Sequence, residues 1–370
     1  MTNRPVLTFD AAIPAKALAK IRDNLSAIVV DGEHLWLGGD EGTMLDRLAI
    51  DANGNFNQHQ RTDLSRFFVL VKDSNGKVPE IDIEGLDLDG GYLWVAGSHS
   101  LKRSKPDVAM SAEENRQRME ITISERNRHT IARVPLDAAG NLSSAVGGLT
   151  AARLDGDVAG DQLTHALSAD PLLGDFCSIP SKENGLDIEG LAVTGHRVFL
   201  GLRGPVLRGW AVIVEFLLKD SGAGVLSIDG GKIRKHFLQL NGLGVRDLAI
   251  LDKDLYVLAG PTMDLDGPVF IFRWSNALDS TTEAFVWQDE KKEVLAKVLE
   301  VPFGQGEFAG RDHAEGLALI ARPGGGIAAM ICYDSPAAPR LDKDHPERVL
   351  LDVFDIADAS MSATASGSAP

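Results

Sequence analysis

Apolar positions along the chain fall in short runs that alternate with polar ones at a period of two, the pattern of half-buried strands. The runs come in pairs around a tight turn. "IEGLDLDGGYLWVAGSHS" from Ile83 returns as "IEGLAVTGHRVFLGLRGP" from Ile188. Diverged copies start at Leu25 ("LSAIVVDGEHLWLGGDEG"), Val245 ("VRDLAILDKDLYVLAGPT") and Ala314 ("AEGLALIARPGGGIAAMICYDS"). Each copy predicts a short strand, a turn and a second strand rich in Leu, Trp, Val, Tyr or Phe. Asp31-Gly32 and Gly90-Gly91 are turn dipeptides that tolerate the positive φ of a tight hairpin.

The stretch after each copy repeats as well. "MLDRLAIDANGNFNQHQR" and "TIARVPLDAAGNLSSAV" place one turn, Asp51 to Asn55 and Asp137 to Asn141, between a third and a fourth strand. "AVIVEFLLKDSGAGVLSI" and "VFIFRWSNALDSTTEAFVW" hold the same place in the third and fourth copies. Four antiparallel strands per unit, recurring along the chain, predict an all-β propeller. The copies are spaced by about 58, 105, 57 and 69 residues. Two insertions, 100–128 and 156–183, account for the long interval. In the first, Ser111 and Glu114 have capping-box spacing ahead of a helix, and "AGDQLTHALSADPLLG" in the second is also helical in tone.

The last unit ends in "RVLLDVFDI" and has three strands. The orphan strand "PVLTF" at 5–9 is expected to complete it by pairing around Val349 to Phe354, closing the ring and removing an open edge. Five blades is the expected count, with six as the alternative. Residues 1–357 form one domain on this reading, and 358–370 a small, polar, disordered tail.

In a propeller, connections from second to third strands and those between units emerge on one face. Both insertions fall there, as do 303–316 and the Pro-rich 334–348, while the turns of the opposite face are all short. Loop length gathered on one face of a rigid scaffold marks a binding or catalytic surface. The repeated acids Glu84, Glu189 and Glu315 open their innermost strands on that face, beside the channel. Arg246-Asp247 takes this register in the fourth copy and Ser26 in the first. Nearby connections add Asp40, Glu41, His99, Arg203, Asp264 and Asp334, and His313 lies two residues before Glu315.

Composition narrows the function classes. The chain has 370 residues, of which 44% are hydrophobic and 24% charged, a soluble globular profile with a sizeable core. Its net charge of −16 argues against nucleic acid or an anionic membrane as partner. No apolar run reaches the ~20 residues of a membrane span, and the first residues lack the order of a secretory signal. Cys177 and Cys332 have no metal-ligand spacing and read as free thiols, so the cytoplasm is the default location. "GxSxG", "HExxH", "GxxxxGK[ST]" and "CxxC" are all absent, and no organic cofactor is indicated. The sequence sets no oligomeric state.

Two readings of the repeated acid stand side by side. In the structural one, each carboxylate accepts backbone N–H groups of the neighbouring unit and the following Gly lets innermost strands pack closely. In the functional one, three carboxylates ringing one mouth repel each other and require compensation. Ca2+ or Mg2+ would suit such oxygens, with Glu84, Glu189, Asp247 and Glu315 as metal ligands. Arg203 and Arg246 would serve instead, or would bind an anionic group of a substrate. Glu84, Glu189 and Glu315 are the candidate catalytic acids and bases, and His99 and His313 the candidate proton carriers.

The stretches "DIEGLDLDGGYLWVAGSHS", "LDIEGLAVTGHRVFLGLRGPV" and "HAEGLAL" resemble a bacterial propeller family known as domain of unknown function 3616, over roughly residues 20 to 355. That resemblance implies the fold and no activity. The chain is more distantly similar to esterase-like phytase domains through a shared "EGLA" strand opening, which implies hydrolysis and carries over no catalytic residue. Two function classes follow. One is a metal-assisted hydrolase of a small ester, phosphoester or lactone, with glycoside hydrolysis as a subcase that the 6% aromatic content disfavours. The other is a non-catalytic propeller that binds a small-molecule ligand or a protein at the mouth.

Overall fold

Each of the five motif copies folds as an antiparallel hairpin whose first strand lies innermost. The inner strands are Ala27–Val30, Ile83–Asp89, Asp187–Thr194, Gly244–Leu251 and His313–Ala321. They pair with His34–Gly38, Tyr92–Gly97, Arg197–Gly204, Asp254–Gly260 and Ile327–Asp334. Each inner strand packs on that of the next unit, and the last packs back on the first. The molecule is therefore a β-propeller. The computed structural model describes residues 4–157, 159–263, 265–289, 294–304, 306–322 and 325–356; the expected tail and Asp264 lie outside the described residues.

Glycine sets how closely the inner strands approach. A Cβ on Gly85 would fall 2.5 Å from Leu191 Cβ, one on Gly190 2.8 Å from Leu248 Cγ, and one on Gly316 2.7 Å from Ile28 Cγ2. The close-packing half of the structural reading thus holds for these three positions. Farther out, apolar side chains interleave between neighbouring units: Trp94 and Leu154 of the second share a cluster with Leu200 and Phe216 of the third. Stacking of units on one another, rather than a core within each, buries the apolar faces.

Both insertions contain the expected helices. Ala112–Glu120 starts at a capping box in which Ser111 and Glu114 bond reciprocally. Gln162–Ser168 is N-capped by Asp161. Among the described residues no helix is long and apolar enough to cross a membrane. Cys177 and Cys332 are free thiols.

Four expectations about outer strands are corrected. Val6–Thr8 does pair with Arg348–Leu350, but it also touches Phe56 in the fourth strand of the first unit. It joins first and last units instead of extending the last sheet. The run Arg348 to Ile356 breaks at Leu351, and Asp352–Ile356 alone forms the third strand of the last unit. In the second unit a two-residue hairpin, Ala145–Val146 with Leu149–Thr150, follows the Asp137 turn, so the fourth strand is Ala152–Leu154. In the fourth unit Ala284–Val286 leaves to pair with the outer strand of the third, and Leu295–Val301 is the fourth strand. Outer strands have one free edge, so a neighbouring unit competes for them.

Candidate functional site

The ladder between first and second strands slips by one residue at the same place in four units. Ile83↔Gly97 is followed by Gly85↔Ala96, and Ile188↔Leu202 by Gly190↔Gly201. Val245↔Ala259 is followed by Asp247↔Leu258, and Ala314↔Tyr333 by Gly316↔Cys332. The residues left out are Glu84, Glu189, Arg246 and Glu315, together with Arg203 on the opposite strand of the third unit. A β-bulge takes its extra residue out of the ladder and re-aims the side chain. Here it turns one charged residue per unit toward the channel mouth, where an unbroken strand would continue its in–out alternation.

Two arginines bind the acids into a network. Arg203 Nη1 lies 2.8 Å from Glu189 Oε1 and the same guanidinium pairs with Asp187. Arg246 Nε lies 3.0 Å from Glu189 Oε2, and its Nη2 pairs with Glu315. All five side chains are buried. A second cationic centre closes the first insertion: Arg128 Nη1 is 2.5 Å from Asp82 Oδ2 and its Nη2 is 2.6 Å from Glu80 Oε1. Lys102 Nζ joins Glu80 and Glu125 at 2.8 and 2.6 Å. Buried charges of this kind persist only when paired.

Glu84 is the exception. It has no hydrogen bond or ion pair among the described residues, and it lines a cavity of about 330 Å3 together with Asp40, Asp82, Lys182 and Glu189. Burial, followed by the charges of Asp82 and Glu189, pushes its carboxyl well above the usual range. Asp40 enters from the connection after the second strand of the first unit, and its buried Oδ1 accepts no hydrogen bond from the described residues. Burial and then the nearby Asp334 raise its pKa to about 7. Asp82 rises to about 6 because burial outweighs the pull of Arg128.

Both insertions reach this mouth. The first lines it with Lys102, Arg103 and Lys105, the second with Ser181, Lys182 and Glu183. Arg103 Nε meets Glu183 Oε1 at 2.5 Å, which ties the two insertions together. The expectation that they share a face and flank the channel matches this arrangement.

Several sequence candidates sit elsewhere. His99 is buried outside the mouth: its Nδ1 is 2.9 Å from Gly97 O, its Nε2 2.8 Å from Asp161 Oδ2, and its ring stacks on His129. It anchors the cap of the second insertion's helix. Asp247 Oδ1 accepts the Leu248 N–H at 2.7 Å and Oδ2 the Leu317 N–H at 2.6 Å, so it points between units and is no ligand at the mouth. Among the described residues no group of three or more His, Cys, Asp or Glu side chains is placed to hold a metal ion. The expected set of Glu84, Glu189, Asp247 and Glu315 does not assemble, because arginines hold two members and backbone amides a third. Arg203 and Arg246 are engaged by acids and do not stand open for an anionic substrate. Glu41 pairs with Lys20 away from the channel. His313 is half exposed in an adjoining cavity, 3.5 Å from Asp266 Oδ1.

Asp82, Asp187, Arg128 and Lys182 were not singled out from sequence. For the two aspartates a signal existed, since each opens the repeated quintet Asp-Ile-Glu-Gly-Leu. The structure gives each its own arginine, Arg128 and Arg203.

A family model described as a protein of unknown function (DUF3616) matches residues 24–352. No curated protein matches the chain. Among solved structures it is similar to glutaminyl cyclase from Myxococcus xanthus, with 10% identity over 96% of this chain and 98% of that one and a TM-score of 0.41. It is also similar to a GH43 β-1,3-galactosidase, with 8% identity over 92% of each chain and a TM-score of 0.41. PQQ-bound aldose sugar dehydrogenase from Streptomyces coelicolor shows 11% identity over 95% of this chain and 98% of its own, with a TM-score of 0.35. At these scores the likeness bears on neither substrate nor reaction.

Proposed function

The chain belongs to the DUF3616 family, and we propose that its channel mouth, on a ring of five blades, is a general acid–base site that hydrolyses a small ester, phosphoester or lactone. The observation that carries this reading is Glu84, a carboxyl that a bulge turns into an open cavity and that, unlike Glu189 and Glu315, has no ion pair among the described residues. Sites that push neighbouring carboxyl groups to different pKa values separate acid from base. Glu84, whose carboxyl burial pushes well above the usual range, is the acid. Asp40, ionised over half its population above about pH 7, is the base.

In the step this implies, water attacks the carbonyl or phosphoryl centre while Asp40 takes one of its protons. The bond to the leaving oxygen breaks, and Glu84 gives that oxygen its proton. Lys182 lines both cavities of the mouth and has no hydrogen bond or ion pair among the described residues. Its ammonium would face the negative charge that develops. Arg203 and Arg246 position Glu189 and Glu315 so that these do not compete with Glu84 for its proton.

The test is a panel of p-nitrophenyl esters, phosphoesters and chromogenic lactones, run on the wild type, Glu84→Gln and Asp40→Asn. Turnover that falls in both variants supports the reading, and turnover indifferent to both ends it. Addition of chelator decides whether a divalent cation takes part. The second reading, a propeller that binds a ligand without chemistry, is favoured by the engagement of both ring arginines with acids. Ligand-induced thermal stabilisation without turnover would select it.

A further inference from the structure

A second cavity of about 220 Å3 adjoins the first and shares Lys182, Arg203, Glu315 and Asp334 with it, so the two lie side by side. Its character differs. Pro261, Met263, Leu265, Val269 and Phe303 line it. Met263 is 41% exposed and Leu265 61%, both on the connection between second and third strands of the fourth unit. Large apolar side chains left open to solvent, two residues apart and facing a cavity beside titratable groups, mark a contact surface for something apolar.

The charged groups of this cavity narrow the occupant further. Arg203 and Arg246 are paired with Asp187, Glu189 and Glu315. His313 faces Asp266. Asp312, Asp334 and Glu315 also line the wall. A phosphate dianion would meet these carboxylates, against which the lining sets few cations.

We infer that this cavity is the acyl-chain subsite of the mouth, and that the substrate is an uncharged ester or lactone carrying a short apolar acyl chain. The inference rests on the hydrolytic reading above and selects among its three substrate classes. The carbonyl lies where the cavities join, between Glu84 and Asp40 on one side and Lys182 on the lip. The chain extends over Met263 and Leu265 toward Phe303.

The experiment is a kcat/KM series on p-nitrophenyl acetate, butyrate and hexanoate, with p-nitrophenyl phosphate alongside, repeated on the double variant Met263→Ser/Leu265→Ser. Both residues are exposed, so the variant keeps its core. Each methylene that enters the cavity is expected to raise kcat/KM about fourfold, and the variant is expected to lose that slope. A flat series in an active wild type, or preference for the phosphate, overturns the acyl subsite and leaves hydrolysis standing. Absence of turnover on every ester, on the phosphate and on the chromogenic lactones sinks the hydrolytic reading instead. In that case, calorimetry with butyramide and hexanamide still decides the subsite: tighter binding of hexanamide that the double variant abolishes upholds it, and equal or absent binding overturns it.

Discussion

Arg246 Nε stands 3.0 Å from Glu189 Oε2, so a cation on the fourth unit's bulge neutralises an acid on the third unit's bulge. The same guanidinium pairs with Glu315 on the fifth. Three units thus place charged residues at one register, and the fourth unit's departure from the repeated Glu is what makes the ring tenable. Around the other half of the mouth the pattern lacks its cation. Arg128 is held by Asp82, Glu80 and Glu125, and Glu84 is left without an ion pair among the described residues, its carboxyl pushed well above the usual range.

Replacing Arg246 with Gln should therefore cost about 3–5 kcal/mol, because it strands two buried carboxylates. Urea unfolding checks this, and adding Glu189→Gln to the variant should restore part of the loss. Glu189→Gln alone should lower stability equally with and without chelator. A loss confined to metal-replete buffer would return a divalent cation to the mouth.

The motif copies were legible because hairpins announce themselves by alternation and turn dipeptides, and all five became inner strands where expected. Ser111 and Glu114 formed the capping box that their spacing implied. The site was only half legible, and the bulge is the reason. A one-residue slip reverses which side chains face the channel, so sequence register could not separate Arg246, which enters the mouth, from Asp247 beside it, which turns between units. His99 was misplaced on similar grounds. It follows the second strand in an exposed-looking "GSHS", yet its positive φ of 55° folds it back onto Asp161. The outer strands were read least well, since nothing in a short apolar run says which of two sheet edges it will join.

The glycine after each bulge offers a test of packing. A Cβ at Gly190 would lie 2.8 Å from Leu248 Cγ and 3.1 Å from backbone atoms of the adjacent inner strand. Gly190→Ala is expected to destabilise the protein by about 1–3 kcal/mol through overpacking. An unchanged unfolding midpoint would mean that the inner strands are farther apart than described.

Closure by the N-terminal strand is testable in the same way. Leu7 is fully buried, and it shares a cluster with Phe56 of the first unit and Val349 near the last. Leu7→Ala should cost about 2–5 kcal/mol, and deletion of residues 1–10 should lower the melting temperature of the whole domain. A variant that melts as the wild type would refute the joint.

The unpaired carboxyl makes the last prediction. Burial and the charges of Asp82 and Glu189 raise Glu84 well above its ordinary range, and Asp40 and Asp82 rise to about 7 and about 6. Below the ordinary carboxylate range, folded and unfolded chains both hold these protons and the groups contribute nothing to pH dependence. Between that range and the raised values the folded chain holds protons that the unfolded chain has lost, so these groups make stability fall as pH rises. Glu84→Gln removes its share: the variant should match the wild type near about pH 4 and be the more stable near about pH 8, as denaturant unfolding at the two values would show. Activity should respond in the opposite sense. If Asp40 is the base, kcat in the wild type should climb with its ionisation through about pH 7, and Asp40→Asn should lower kcat by about 100- to 10,000-fold while abolishing that limb. A variant made more stable at alkaline pH yet equally active would remove Glu84 from the chemistry and leave it as a strained ring acid.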